Sequence, residues 1–329
     1  MDTSSAPEQG ITALGDEVFA IDTRMAGYPG ITSSYLIRTE RPCVVEVGTA
    51  GSAEVLRDGL AALGIGPADL ATIVVTHIHL DHAGGVGDVA RMFPGAEIVV
   101  HERGARHLAD PARLMRSARM VWGDKLDVLF GEMRPSDAGR IRAVGETGEV
   151  DLGAGRSLSA HYAPGHAKHH VGLVDSATGD LYVGDALGVY NPYTGDVRPA
   201  TPPPDFDLDA ALRTLDLFTG IDPRRLMFSH FGAVDPVGET IERAREELHA
   251  WVSAVREARA TAGDLDHAVA MVRDQVTKRY RPLPPDAPAE AAEVMEVLSG
   301  VEGNHAGISH WLDRLEAEQR EQAEAAREG

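Results

Sequence analysis

The stretch Thr76-His77-Ile78-His79-Leu80-Asp81-His82-Ala83-Gly84-Gly85 places three histidines and an aspartate within six residues. Imidazole and carboxylate groups are common ligands of zinc, and so dense a cluster has little structural purpose otherwise. Three more candidate ligands follow along the chain: His166, Asp185 and His230. The whole set comprises five imidazoles and two carboxylates, enough to hold two divalent ions a few Å apart. Such a pair of ions activates water, so the sequence predicts a metallohydrolase.

Each ligand-bearing segment is predicted to lie at the end of a strand. The run Ala71–Thr76 is rich in β-branched residues, which is typical of a buried strand. Alternate residues of an extended segment project to the same side, so His77 and His79 are expected to reach one ion together. The loop that follows is expected to turn Asp81 and His82 toward a second position. Loops at one edge of a sheet are where functional sites are usually built.

Short apolar runs separated by glycine and proline predict further strands, and apolar residues at helical spacing predict helices. Ser52 is a candidate N-cap of the first helix. The predicted strands are 18–21, 34–37, 44–47, 97–100, 157–162, 171–174, 181–183 and, as the last strand, 225–229. The predicted helices are 52–63, 86–92, 102–108, 208–218, one or two within 111–130, and almost the whole chain beyond Pro236, with residues 77–85 as a loop.

Composition narrows the class of protein. The chain has 329 residues and a formal net charge of -20, which argues against nucleic acid as a partner. Cys43 is the single cysteine, so no intramolecular disulfide forms, and it is expected to be a small buried hydrophobe. Residues 1–10 are polar, expected to be disordered and unlike a signal peptide. No run reaches about 18 apolar residues, so we expect a cytoplasmic chain with no membrane partner.

The motif at residues 76–85 resembles that of the metallo-β-lactamase-fold superfamily. Pro164-Gly165-His166, Gly184-Asp185 and Ser229-His230-Phe231-Gly232 are similar to its later ligand motifs, in the same order. The resemblance is greatest to stand-alone, glyoxalase II-like hydrolases of bacteria and archaea. It implies an α/β fold, an αββα sandwich, over a catalytic domain at residues 11–235. A helical extension at 236–329 is then expected either to cover the sandwich or to pair two subunits as a homodimer.

The resemblance also implies a dinuclear site in which a metal-bridging hydroxide attacks the substrate. Asp81 would both bind metal and accept a proton. Zinc is the expected metal, with manganese and iron as alternatives, since imidazole and carboxylate ligands do not decide among them. The expected ligands are His77, His79 and His166 for the first ion, Asp81, His82 and His230 for the second, and Asp185 as a bridge.

Four other residues are candidates for supporting roles. Glu46 stands where the superfamily often has aspartate, and it is a candidate hydrogen-bond acceptor behind the ligands. His170 matches the second histidine of the glyoxalase II-like pattern, and is expected to orient a neighbour rather than to bind metal. Lys168 and Tyr193 lie near ligands in the chain and are candidates for contact with substrate. The helical segment around Met115, Met120 and Trp122 forms either an apolar lid or ordinary core.

Several functions remain open from the sequence. The leading hypothesis is hydrolysis of a small ester, thioester or lactone. The alternatives are phosphodiester or phosphotriester hydrolysis at the same site, and persulfide oxidation by a single iron. An alternative outside the enzymes is a metal-stabilised interaction module. Seven intact ligands favour an open catalytic site over a closed structural one.

Overall fold

The computed structural model describes residues 10–289 and 291–328, which fold as two compact units. The first unit runs to residue 163 and adds residues 169–184 and 222–237. The second holds residues 164–168, 185–221 and the chain from residue 238. The expected disorder of residues 1–10 concerns a segment that, except for Gly10, lies outside the described residues. The predicted domain division at residue 235 stays a prediction.

The first unit contains a seven-stranded sheet whose spatial order equals the chain order. Its strands are β1 (Ile11–Gly15), β2 (Val18–Asp22), β3 (Ser33–Ile37), β4 (Cys43–Val45), β5 (Thr72–Val74), β6 (Glu97–His101) and β7 (Ile141–Val144). Strands β1 to β4 pair antiparallel, whereas β4 to β7 pair parallel and need crossovers. The crossovers contain α1 (Ala53–Ala62), α2 (Leu80–Ala83), α3 (Val86–Met92), α4 (Glu102–Ala109), α5 (Ala112–Trp122) and α6 (Lys125–Leu129).

The second sheet of this unit has six strands in the order β15-β14-β11-β10-β9-β8. The later strands of the chain are β8 (Thr147–Asp151), β9 (Ser157–Tyr162), β10 (Val171–Asp175), β11 (Leu181–Gly184), β12 (Val189–Tyr190), β13 (Val197–Arg198), β14 (Leu226–Phe228) and β15 (Gly232–Val234). Only β11 and β14 pair parallel in this sheet, while β12 and β13 form a separate ribbon in the second unit.

The core of the first unit lies between the two sheets. Tyr35 and Tyr182, one from each sheet, meet edge to face with ring centroids 5.3 Å apart. Cys43 belongs to the same cluster and is fully buried, as predicted. The opposite face of the first sheet packs on helices, and Ile21 of β2 lies so close to Gly59 of α1 that an added Cβ would be 2.8 Å away. Two packed sheets with flanking helices confirm the predicted fold class.

The parallel pair of β11 and β14 is held at one end by a buried ion-pair cluster. The Asp180 carboxylate, fully buried, accepts hydrogen bonds from Arg224 and Arg225 at 2.7–3.1 Å. Burial raises the pKa of Asp180, but the bonds from Arg225 and Arg224 outweigh it, so the pKa lies below its usual value. A lowered pKa means that this stabilisation is present near neutral pH and is lost as the pH falls below about 4.

Replacing Asp180 with alanine is expected to lower the free energy of unfolding by about 3 kcal/mol at pH 7, because Arg225 loses its buried partner. Urea unfolding measures the loss, which should shrink as the pH drops through the acidic range. The control is Asp274→Ala, which removes an exposed ion pair with Lys278 and should cost about 0.5 kcal/mol or less. Equal losses in the two variants would contradict the role of the cluster.

The second unit is mainly helical. Its helices are α7 (Leu208–Ile221), α8 (Val237–Thr261), α9 (Leu265–Thr277), α10 (Ala291–Ser299) and α11 (Val301–Glu328). The helical character predicted beyond Pro236 is confirmed. No helix among the described residues is both long enough and apolar enough to span a membrane.

Three local predictions are corrected, and some strands were not predicted at all. The segment expected to be the last strand is followed by β15, whose three residues are too few to show an alternation of apolar and polar side chains. The predicted loop at 77–85 contains α2, because the carbonyl of His79 accepts the backbone N–H groups of His82 and Ala83. Ser52 precedes α1 but does not cap it, since its hydroxyl pairs with Thr49 at 2.9 Å. Strands β7 and β8 were not anticipated, because each buries few of its side chains.

Candidate metal centre

The backbone after β5 presents the first candidate ligands. Residues 77–79 form no regular secondary structure, and His79, which precedes α2, is extended. His77 and His79 project to one side, where His77 Nε2 lies 3.0 Å from His79 Nδ1. His77 is fully buried and the Thr76 hydroxyl lies 3.0 Å from its Nδ1. A hydrogen bond at Nδ1 leaves Nε2 as the ring atom that faces the neighbouring histidine.

The helical turn of α2 brings a second group together with the loop after β14. Asp81 Oδ2 lies 3.6 Å from His82 Nε2 and 3.4 Å from His230 Nε2, and the two ring nitrogens are 3.2 Å apart. Ligand atoms at 2.0–2.1 Å from a tetrahedral zinc ion are separated by about 3.3 Å. This triangle of donor atoms therefore fits three ligands of one ion. His82 and His230 are buried, whereas the Asp81 side chain is 20% exposed.

Two groups lie behind the triangle, each next to one of its rings. The carbonyl of Ile31 lies 2.7 Å from His230 Nδ1, so that nitrogen carries the proton and Nε2 faces the triangle. Glu46 Oε2 lies 3.4 Å from His82 Nδ1, and Glu46 Oε1 accepts the backbone N–H of Thr76 at 3.1 Å. Glu46 thus lies beside the candidate ligand His82, and its role as a hydrogen-bond acceptor stays a prediction. Its φ of 66° is rare for a residue other than glycine, and such strain concentrates at functional sites.

His170 and His169 pack beside the first candidate ligands. The buried ring of His170 lies 5.0 Å from that of His77, centroid to centroid. A Cβ at Gly184 would collide with His170 and with Thr76, so the close approach of these segments requires glycine there. His169 Nδ1 accepts the backbone N–H of Ile78 at 3.4 Å, and its ring is nearly parallel to that of His77 at 6.1 Å.

The second unit brings the other two candidates together. His166 Nε2 lies 3.5 Å from Asp185 Oδ2, and both side chains are buried. His166 Nδ1 lies 2.9 Å from the carbonyl of Ala200, which orients the ring as Ile31 orients His230. Gly165 has φ of 127° and packs against Ala211 of α7, so a side chain there would displace the loop.

The candidate substrate residues are less constrained. Lys168 pairs with Asp205 at 3.2 Å, and its side chain is half exposed. Tyr193 is 45% exposed, next to a turn in which its N–H donates to the Asn191 side chain. Neither position contradicts a role in substrate contact, and both roles stay predictions.

The segment around α5 is not ordinary core. Helix α5 buries none of its residues, and Met120 is 82% exposed. Trp122 packs on Phe130 at 5.1 Å, and an open groove of about 590 Å³ runs past Met115 and Met133. The core interpretation is therefore wrong for this helix, and the lid stays a prediction.

Sequence reasoning missed the groups that orient the rings. The carbonyls of Ile31 and Ala200 were not anticipated, because every residue carries a carbonyl and no side-chain pattern marks the ones in use. For the Thr76 hydroxyl, the sequence offered one indication of such a role, namely its position directly before His77.

The family model described as the metallo-beta-lactamase superfamily matches residues 27–230. A metallo-beta-lactamase fold-containing protein of Sulfurisphaera tokodaii is 33% identical over 168 residues, 50% of this chain and 61% of that protein. A hydroxyacylglutathione hydrolase of a Synechococcus species is 27% identical over 171 residues, 50% of this chain and 53% of that protein. The chain thus spans about half to three fifths of the length of these curated relatives.

A solved structure supports the architecture. An archaeal metallo-beta-lactamase superfamily protein from Sulfolobus tokodaii matches with a TM-score of 0.66 at 24% identity. The match covers 90% of this chain and 99% of that chain. At this identity the likeness is evidence for the fold alone.

Proposed function

Because the chain belongs to the metallo-beta-lactamase superfamily, we propose that it is a metal-dependent hydrolase of small esters, thioesters or lactones. The observation that carries the proposal is the triangle of Asp81, His82 and His230, whose donor atoms are spaced like ligands of one ion. Structural zinc sites usually close the coordination with four protein ligands, whereas three leave a position for water or substrate. A triangle with one partly exposed member therefore supports catalysis.

We propose two divalent ions, with zinc as the first choice over manganese and iron. When bound, they would lower the pKa of water to about 7 and polarise the oxygen of a substrate carbonyl. Support comes from the order of the seven side chains along the sequence and from the nitrogen and oxygen pairs 3.0–3.6 Å apart. The proposed ligands are His77, His79 and His166 for one ion, Asp81, His82 and His230 for the other, and Asp185 between them.

Asp81 is the proposed catalytic residue of the chain itself. Its Oδ2 faces two imidazoles, and a carboxylate has a second oxygen at which to accept a proton during turnover. Its exposure of 20%, against 1% for His82, is consistent with approach by a substrate. The Ile31 carbonyl orients the ring of His230, and Glu46 lies next to the ring of His82.

The substrate class is proposed from charge and from one relative. A net charge of -20 disfavours large polyanions, so nucleic acid is a poor substrate. One of the relatives is a hydroxyacylglutathione hydrolase, which supports including thioesters in the proposed class. Small phosphodiesters are the alternative that the same ligands would serve.

The test combines elemental analysis of protein purified without chelators with a panel of ester, thioester, lactone and phosphodiester substrates. We expect two equivalents of zinc or manganese and turnover of at least one carbonyl substrate. Metal-stripped protein serves as the control and should be inactive. One iron per chain, with oxygen consumed on a persulfide and no hydrolysis, would overturn the proposal.

A further inference from the structure

The segment Pro199-Ala200-Thr201-Pro202-Pro203-Pro204 has few backbone donors with which to form hydrogen bonds of its own. Four of its six residues are prolines and lack the backbone N–H that turns and ladders use. The carbonyl of Ala200 nevertheless meets His166 Nδ1 at 2.9 Å. Something outside the segment must therefore fix the position of that carbonyl.

Asn304 of α11 holds the segment on both sides of Ala200. Its Oδ1 accepts the backbone N–H of Thr201 at 2.8 Å and the Thr201 hydroxyl at 2.7 Å. Its Nδ2 donates to the carbonyl of Pro199 at 3.0 Å and to the hydroxyl of Ser299 at 3.1 Å. Ser299 in turn donates to the same Pro199 carbonyl at 2.6 Å. All four hydrogen-bonding positions of the amide are used, and three of them act directly on this segment.

Burial and packing make this contact specific. Asn304, Thr201 and Ser299 are all less than 5% exposed, so an unmade bond would leave a buried polar group without compensation. One turn further along α11, a Cβ at Gly307 would collide with the carbonyl of Thr201. The helix therefore contacts the segment directly, and only glycine leaves room for this contact at position 307.

We infer that Asn304 is a positioning residue for His166: it holds the Pro199–Thr201 backbone so that the Ala200 carbonyl orients the imidazole. The inference rests on the proposed function, in which His166 binds metal. It gives α11, far along the chain, a role in metal binding as well as in folding. Groups that orient a metal-bound histidine typically change metal affinity 10- to 100-fold when removed.

The test measures Zn²⁺ dissociation constants by chelator competition for the whole chain and for Asn304→Ala. We expect one of the two equivalents to bind about tenfold more weakly, and the other to bind as in the unaltered protein. Leu312→Ala is the matched control, because Leu312 is a buried residue of the same helix that faces Arg256 and Ala260 of α8. It should lower the melting temperature without changing either constant.

A second variant keeps the test decisive if Asn304→Ala does not fold. Thr201→Val retains the shape of the side chain and removes only the hydroxyl bonded to Asn304, and it should weaken the same equivalent. Unchanged affinity in Asn304→Ala, or an equal loss in Leu312→Ala, overturns the inference while the proposed function stands. Absence of zinc binding in the unaltered protein overturns both.

Discussion

Replacing Asp81 with asparagine is expected to lower kcat/KM by about a thousandfold while the protein stays folded. Asparagine keeps the size of the side chain but removes the charge that attracts a cation and the oxygen that accepts a proton. Asp81 Oδ2 is one corner of the donor triangle, 3.4 Å from His230 Nε2, so its loss affects both metal binding and proton transfer. Steady-state kinetics and thermal unfolding of the metal-free protein are the two measurements.

The control for this substitution is Asp88→Asn. The Asp88 carboxylate has the same 20% exposure as Asp81, but it pairs with Arg91 at 3.3 Å and Arg134 at 3.0 Å. Its substitution should leave turnover nearly unchanged. If Asp81→Asn instead loses stability in the metal-free state and keeps full turnover per folded molecule, the residue is structural and the catalytic role is refuted.

Removing the metal is expected to abolish hydrolysis, and adding zinc to restore it. The proposed reaction depends on water activated by the ions that the seven proposed ligands would hold. Ions that bind the folded chain but not the unfolded chain also stabilise the fold. They raise the free energy of unfolding by about 4 kcal/mol per site when the free ion is at a thousandfold excess over the dissociation constant. The measurements are the initial rate and the melting temperature before chelation, after chelation and after reconstitution.

A pair of histidine variants separates metal binding from packing. His230→Ala removes a corner of the triangle and should lose one metal equivalent. His101→Ala removes an equally buried histidine that stacks on Tyr162 and accepts the N–H of Arg103, and it should keep both equivalents. Hydrolysis that persists in protein shown to contain no metal would contradict the whole scheme.

Most strands predicted from the sequence bury most of their residues, and β9, in which only Leu158 and Ala160 are buried, is the exception. All five residues of β3 are buried, and its apolar run was recognised directly. In β8 only Val150 is buried, because the other side chains face outward or lie at the margin. A strand with one buried residue has almost no hydrophobic signal, since backbone pairing with its neighbour rather than side-chain burial defines it.

The sequence by itself determined the family and the chemical identity of the candidate ligands, because the dense run at residues 77–82 and the later motifs are local patterns of side-chain type. Only the tertiary structure decided how those side chains are held. The carbonyls of Ile31 and Ala200 each meet a histidine Nδ1, and Asn304 reaches a segment 103 positions earlier in the chain. Backbone carbonyls are the same in every residue, so which of them orients a ligand depends on the packing that brings distant segments together.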